Sequence, residues 1–358
     1  MAKFNVSQLL ESVVKMGASD LHLSVGVSPV IRVNTALAPL SDIPPLTVED
    51  IEFFISQILN QEQKDILDVN KELDLSVALG NQVRFRVNVF FQKGYPSIAM
   101  RTIPLIVPSL DKLGLPPIVN SISDLKQGLV LVAGPTGHGK STTIAGMIQR
   151  INETRAEHIL TIEDPIEYIF TNKKSLIEQR EMYLDTHSWD VALKAVLRQD
   201  PNVVFIGEMR DHDSMAAALT IAETGHLVFT TLHTNSASQT IDRVIDSFPE
   251  GQQDQIRTQL SQSLEAVISQ RIIPSKEVGM IPAVEVLLGT SAVRNMIREG
   301  KSHQLDNVID TSAGAGMVSL NTSLAELVKN GRIELNEAIK YSLRPDELKH
   351  LVGAGVNE

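Results

Sequence analysis

Gly134, Gly139, Lys140 and Ser141 stand in the spacing G-x-x-x-x-G-K-S within the stretch GPTGHGKSTT, directly after the apolar run GLVLVA. Glycines at such positions let successive backbone N–H groups turn inward around an anion. A lysine where a helix begins meets the positive end of the helix dipole, so a negative partner belongs beside it. The chemistry this predicts is polyphosphate binding. Residues Gly134, Pro135, Thr136, Gly137, His138, Gly139, Lys140, Ser141 and Thr142 form the loop and helix start. Lys140 would meet the β- and γ-phosphates, and the Ser141 hydroxyl would ligate Mg²⁺. ATP and Mg²⁺ are the expected ligands. The alternative, a tight strand–helix turn with a solvated lysine, leaves the lysine's position unexplained.

Binding alone does not hydrolyse a phosphoanhydride; a carboxylate must orient water and help hold metal. ILTIEDPIEY closes an apolar strand with Glu163 and Asp164, and NVVFIGEMRD closes another with Glu208. Ligands in open parallel sheets bind at the carboxyl ends of strands, which brings both glutamates toward the loop. Gly207 precedes Glu208 where an aspartate is usual in the second carboxylate strand, so metal is held through water or by Glu208 itself. His226 and His233 flank one strand in AETGHLVFTTLHTN, and the second lies at the functional edge. No third ligand is spaced to make a metal site of them. Arg84, Arg86 and Arg101 lie on strands near the N-terminus. They read either as a solvated sheet face or as an anion-seeking surface.

Two kinds of scaffold must position these groups. Val6, Leu9, Leu10, Val13 and Val14 form the apolar stripe of a first helix over residues 5–16, with Asn5 and Gln8 resembling a capping box. Thr47 with Asp50 starts another helix running to about Asn60. SDLHLSVG, VIRVN and SIAMRTI alternate as strands. LDLSVAL and VRFRVNVF flank Gly80-Asn81 as a hairpin, with Val83, Phe85, Val87 and Val89 on one face. Residues 1–103 are therefore α+β, and the proline-rich stretch 104–126 (Pro104, Pro108, Pro116, Pro117) reads as a linker. From residue 127 to 358 the pattern changes. LVLVA, HILTI, NVVFIG and LVFTTL alternate with helical stretches, the α/β signature of a mainly parallel sheet covered on both faces. From about Gln252 the chain is expected to be mostly helical, IRTQLSQSLEAVISQRI included.

The 358 residues are 43% hydrophobic and carry a net charge of −11. The first figure allows two sizeable cores, and the second disfavours a duplex nucleic acid partner, which selects a basic face. The absence of cysteine excludes disulfides and thiolate metal sites. The N-terminal MAKFNVSQLLESVV lacks the apolar core of a signal peptide, and no apolar run approaches bilayer-spanning length.

GPTGHGKSTT, TIEDPIEY, IGEMRD and AETGHLVFTTLHTNSA together resemble the Walker A, Asp box, Walker B and His box of the secretion ATPases, the hexameric motors of type IV pili and type II secretion. GASDLHLS, RFRVNVF, RTIP, LRQDPNVV and HQLDNVIDTSAGAGM extend the likeness over nearly the whole chain. The retraction branch, which drives twitching motility, is the better match. The longer N-terminal region and four-cysteine zinc site of the extension motors are not in the sequence. The resemblance implies a PAS-like first domain and a RecA-like P-loop NTPase domain with a helical C-terminal part, assembled as a homo-hexamer. It implies Glu163 as the water-activating base, Glu208 in support of metal and catalysis, and His226 and His233 as the His-box pair. Arg84, Arg86 and Arg101 would be arginine fingers offered in trans to a neighbour's γ-phosphate. It further implies a cytoplasmic ring docked on the inner-membrane pilus platform protein, with a paralogous retraction ATPase as a possible companion. A non-motor accessory subunit and a DNA translocase are the alternatives from other classes. His138 departs from the family, which has serine or threonine there, so its ring is expected to contact nucleotide or a neighbouring subunit. Val293 departs in the C-terminal segment that matters for retraction.

Overall fold

The computed structural model describes residues 5–33, 36–80, 83–103, 107–209, 211–277 and 279–353. Asn81 of the expected hairpin turn, Pro104 of the expected linker and Arg210 of the second carboxylate motif lie outside them. The chain divides into two units, Met1–Ile106 with Pro165–Ile169, and Val107–Asp164 with Phe170–Glu358.

The first unit runs α1 (Val6–Lys15), β1 (Asp20–Ser24), β2 (Val30–Val33), β3 (Ala36–Pro39), α2 (Val48–Ile58), α3 (Gln61–Asn70), β4 (Glu72–Leu79), β5 (Val83–Gln92) and β6 (Tyr95–Ile103). Its sheet has the order β3-β2-β1-β6-β5-β4, antiparallel throughout. Asn5 caps α1 by accepting the Gln8 N–H, and Thr47 with Asp50 closes a full capping box on α2. Leu10, Val13, Ile51 and Phe54 from the helices meet Phe85, Val87 and Val89 from the expected inward face of β5. Helix α3 is an addition to the expectation. Its decamer QEQKDILDVN buries only Leu67, too little for an amphipathic stripe, and it stands on a second capping box, Asn60 with Gln63.

The second unit opens with α4 (Ile118–Ser123) and continues through β7 (Gly128–Ala133), α5 (Lys140–Thr154), β8 (His158–Glu163), β9 (Leu176–Glu181), α6 (Trp189–Val196), β10 (Val203–Ile206), α7 (His212–Glu223) and β11 (Leu227–Leu232). Then follow α8 (Ala237–Asp246), α9 (Glu250–Ser263), β12 (Leu264–Pro274), β13 (Met280–Leu288), α10 (Ser291–Arg298), α11 (Leu305–Thr311), α12 (Leu320–Lys329), α13 (Leu335–Tyr341) and α14 (Pro345–Val352). The sheet order is β13-β12-β7-β11-β10-β8-β9, parallel except for the β12–β13 pair. Alternate residues of β7 enter different cores: Leu129 and Leu131 pack on one side, Val130 and Val132 on the other. That two-sided burial is why GLVLVA is apolar at successive positions.

Two expectations change here. Residues 107–126 are built into this unit: a 3₁₀ turn at Leu110–Lys112 and α4 bury Leu110, Val119 and Ile122 in its core. The stretch IRTQLSQSLEAVISQRI is not one helix. Helix α9 ends at Ser263, and Leu264 starts an eleven-residue strand buried on both faces. The helical C-terminal part begins at Ser291, where α12–α14 pack on Ile273, Ile281 and Ala283 of β12 and β13. Among the described residues no helix is long and apolar enough to cross a membrane.

Candidate functional site

The loop after β7 takes its shape from three glycines with positive φ, Gly134 at 144°, Gly137 at 79° and Gly139 at 76°. At Gly134 the requirement is also steric, because a Cβ there would lie 2.5 Å from the Gln270 carbonyl oxygen. Helix α5 then starts at Lys140 with Gly139 as its N-cap and no side-chain cap, and a helix N-terminus favours an anion.

Lys140 is buried, and its Nζ donates to the carbonyls of Gly134 at 2.8 Å and Pro135 at 3.0 Å. Its own loop's carbonyls thus fix the position of the ammonium. His233, at the end of β11, links it to the next group. Its Nδ1 lies 3.4 Å from Lys140 Nζ and from Thr136 Oγ1, and its Nε2 lies 3.3 Å from Glu208 Oε2. Because an ammonium only donates, Nδ1 is the acceptor and Nε2 carries the proton toward Glu208.

Glu163 is the last residue of β8 and is buried. Its Oε1 accepts from Thr161 Oγ1 at 2.7 Å and Gln179 Nε2 at 3.3 Å. The strand order therefore sets the lysine loop, His233, Glu208 and Glu163 on four successive strand ends, β7, β11, β10 and β8. At about 4.8 Å per strand, the backbones of β7 and β8 lie about 14 Å apart at this edge. Gly207 accounts for the missing aspartate. Its N–H donates to Ile162 O at 2.8 Å, and a Cβ would stand 3.3 Å from Glu163 Cα. The small residue lets the end of β10 close on the end of β8.

Ser141 and Thr142 occupy the first turn of α5. Oxygen donors such as Ser141 and Glu208 suit Mg²⁺, which takes few protein ligands and completes its shell with phosphate oxygens and water. No cluster of three or more His, Asp or Glu side chains that could cage a metal occurs among the described residues.

The structure does not bring His226 to this row. It precedes β11, at the opposite end of the strand from His233, and its Nδ1 lies 3.0 Å from Ile221 O, finishing α7. Arg84, Arg86 and Arg101 belong to the first unit. Arg86 faces Arg101 across β5 and β6, Arg84 Nε donates to Ser76 Oγ at 2.6 Å, and Arg101 pairs with Asp20 at 2.9 Å. Val293 is fully buried on α10.

Sequence reading missed Gln270 and Arg271. Gln270 Oε1 accepts from Thr143 Oγ1 at 2.7 Å, its Nε2 donates to His138 O at 2.9 Å, and Arg271 donates to the Asn235 carbonyl at 2.7 Å. The signal was the glutamine-arginine pair in a stretch assigned to a helix, which kept both away from the loop. The ring of His138 also turns to this strand, where Nδ1 accepts the Ile272 N–H at 2.9 Å. Burial first, then the charges of Arg271 and Lys140, hold its pKa below the ordinary histidine value.

The family described as "Type II/IV secretion system protein" matches residues 2–346. "Type IV pilus retractation ATPase PilT" of Pseudomonas aeruginosa is 44% identical over 342 residues, 96% of this chain and 99% of that protein. "Twitching motility protein" of Neisseria gonorrhoeae is 46% identical over 307 residues, 86% of this chain and 82% of that protein. Among solved structures, "Crystal Structure of the Pilus Retraction Motor PilT and Bound ADP" superposes with a TM-score of 0.91 at 44% identity, covering 97% of this chain and 99% of that one.

Proposed function

The chain belongs to the type II/IV secretion system protein family, and from that footing we propose that it hydrolyses ATP to drive retraction of type IV pili. One observation carries the reading: a buried loop lysine and two glutamates stand at one edge of a mainly parallel sheet, on the ends of β7, β10 and β8, with His233 on the β11 end between them. The loop N–H groups and the head of α5 receive the phosphates, and Lys140 shifts from its carbonyls to the β- and γ-phosphates. Glu163, kept in place by Thr161 and Gln179, accepts a proton from the water that attacks the γ-phosphorus in line. Ser141 and Glu208 would hold Mg²⁺, which when bound neutralises charge on the phosphate oxygens. His233 couples Lys140 to Glu208 and so registers whether phosphate has replaced it as the lysine's partner.

On this reading the protein works as a six-membered ring seated at the cytoplasmic face of the inner membrane on the pilus platform protein, either alone or beside a paralogous retraction ATPase. Arg84, Arg86 and Arg101 of one subunit would neutralise developing charge at the next. The biochemical test is Glu163→Gln. ATP binding should persist while steady-state phosphate release falls about a hundredfold or more. Unchanged turnover would remove Glu163 from the mechanism, and no turnover by the purified wild type would favour an accessory subunit. Deletion of the gene should leave surplus filaments that do not retract; bald cells would mean extension.

A further inference from the structure

The phosphate loop holds one side chain whose contacts lead away from the phosphate seat. Strand β12 pairs with β7 only as far as Ser269 opposite Ala133, and on its other side Ile272 stands opposite Pro282 of β13. Ile272 is thus three residues past the end of the β7 ladder. Its backbone N–H is directed to the loop side, where the β7 pairing has ended, and a part-buried N–H there needs an acceptor. His138 Nδ1 supplies it at 2.9 Å. Two residues back, the Gln270 side chain takes the His138 carbonyl at 2.9 Å and the Thr143 hydroxyl at 2.7 Å. The Tyr341 ring, last residue of α13, stands edge-on to the imidazole at 6.4 Å between centroids.

We propose that His138 is a positioning residue: its imidazole staples the phosphate loop to the end of β12, so that the loop is shaped before nucleotide arrives. The proposal rests on the loop being the nucleotide site. It makes His138 a determinant of affinity and leaves the chemical step to other groups, because a preordered loop loses less freedom on binding. Serine or threonine, with an oxygen one atom nearer the backbone, falls short of the Ile272 N–H. The ring must be neutral to accept, and its depressed pKa keeps it so.

The test uses the full chain with a fluorescent ADP analogue and with MgATP. His138→Ala and His138→Ser should each raise Kd and KM about three- to tenfold, with kcat falling less than KM rises. In His138→Asn the amide oxygen takes the place of Nδ1 and should return Kd close to the wild-type value. The Ile272 amide should exchange slowly in ligand-free wild type and faster in His138→Ala. The staple is overturned if asparagine behaves as alanine, if kcat falls while KM holds, or if the Ile272 amide is unprotected. Wild type that binds no ADP yet protects that amide would refute the nucleotide reading and leave the staple standing.

Discussion

Gly207 shows what one side chain can control at this site. Its N–H is fixed to Ile162 and its carbonyl receives the Thr231 hydroxyl at 2.7 Å, so the residue cannot drift. Adding a methyl puts a Cβ 3.3 Å from Glu163 Cα and 3.4 Å from Ile162 O. Gly207→Ala should therefore displace the end of β8 by a few tenths of an ångström and cost about 1–2 kcal/mol of stability. Because the displaced group is the expected base, kcat should fall about tenfold while ATP affinity stays within about twofold. Thermal melts with and without nucleotide, beside steady-state turnover, read the two effects separately. An equal loss of affinity would mean that Gly207 serves the loop and not Glu163. At this scale, the groups that sequence disclosed are those whose meaning is local. Gly134 to Ser141 sit within one turn and one helix start, and Glu163 and Glu208 each end an apolar run. The partners of His138 could not be read, because Gln270 and Ile272 lie more than 130 positions away. No local pattern ties them to the loop.

Elements carried a second kind of ambiguity. Strand β12 is covered on both faces, so its sequence lacks the alternation of a half-buried strand, and α9 runs into it without glycine or proline. Five of the six strands of the first-unit sheet were legible from alternation; β3, the sixth, is exposed at all four residues and carries no such signal. The sheet also carries a transverse row that the strand register explains: Arg32 of β2, Asp20 of β1, Arg101 of β6 and Arg86 of β5 are successive cross-strand neighbours. Like charges placed directly opposite destabilise a sheet, and Asp20 offsets them. Burial pushes the Asp20 carboxyl up, but the Ser19 hydroxyl with Arg101 and Arg32 outweighs it and holds the pKa below its ordinary 3.8. A depressed carboxylate pKa means the unfolded chain binds the proton more readily. The stabilisation is thus complete above pH 3.8 and is lost as pH falls through the folded value. Asp20→Asn should cost about 1–2 kcal/mol at neutral pH, the lower figure reflecting the exposed Arg101. Urea melts of wild type and variant should converge as pH drops below 3.8. A gap that stays constant with pH would mean that shape, not charge, sets the loss.

The same row bears on the assembled molecule. A chain with net charge −11 that sets Arg86 opposite Arg101 concentrates positive charge where the sheet alone gains nothing from it. Arg84 and Arg101 are tethered to Ser76 and Asp20, whereas the guanidinium of Arg86 has no hydrogen bond or ion pair among the described residues. It is the one prepared to meet an outside anion. If that anion is the γ-phosphate on a neighbouring subunit, two defects should complement. Lys140→Ala removes nucleotide binding and Arg86→Ala removes charge neutralisation, so each protein alone should be nearly silent. A 1:1 ring contains interfaces in which an intact Lys140 faces an intact Arg86, about a quarter of all interfaces for random mixing of a closed ring. Turnover should then climb toward about a quarter of the wild-type rate after subunit exchange. An arginine acting within its own chain cannot be rescued in this way, since every nucleotide-binding subunit in the mixture lacks it. Silence of the exchanged mixture, with ring formation verified by light scattering, would take Arg86 out of the trans role and place the charge partner elsewhere.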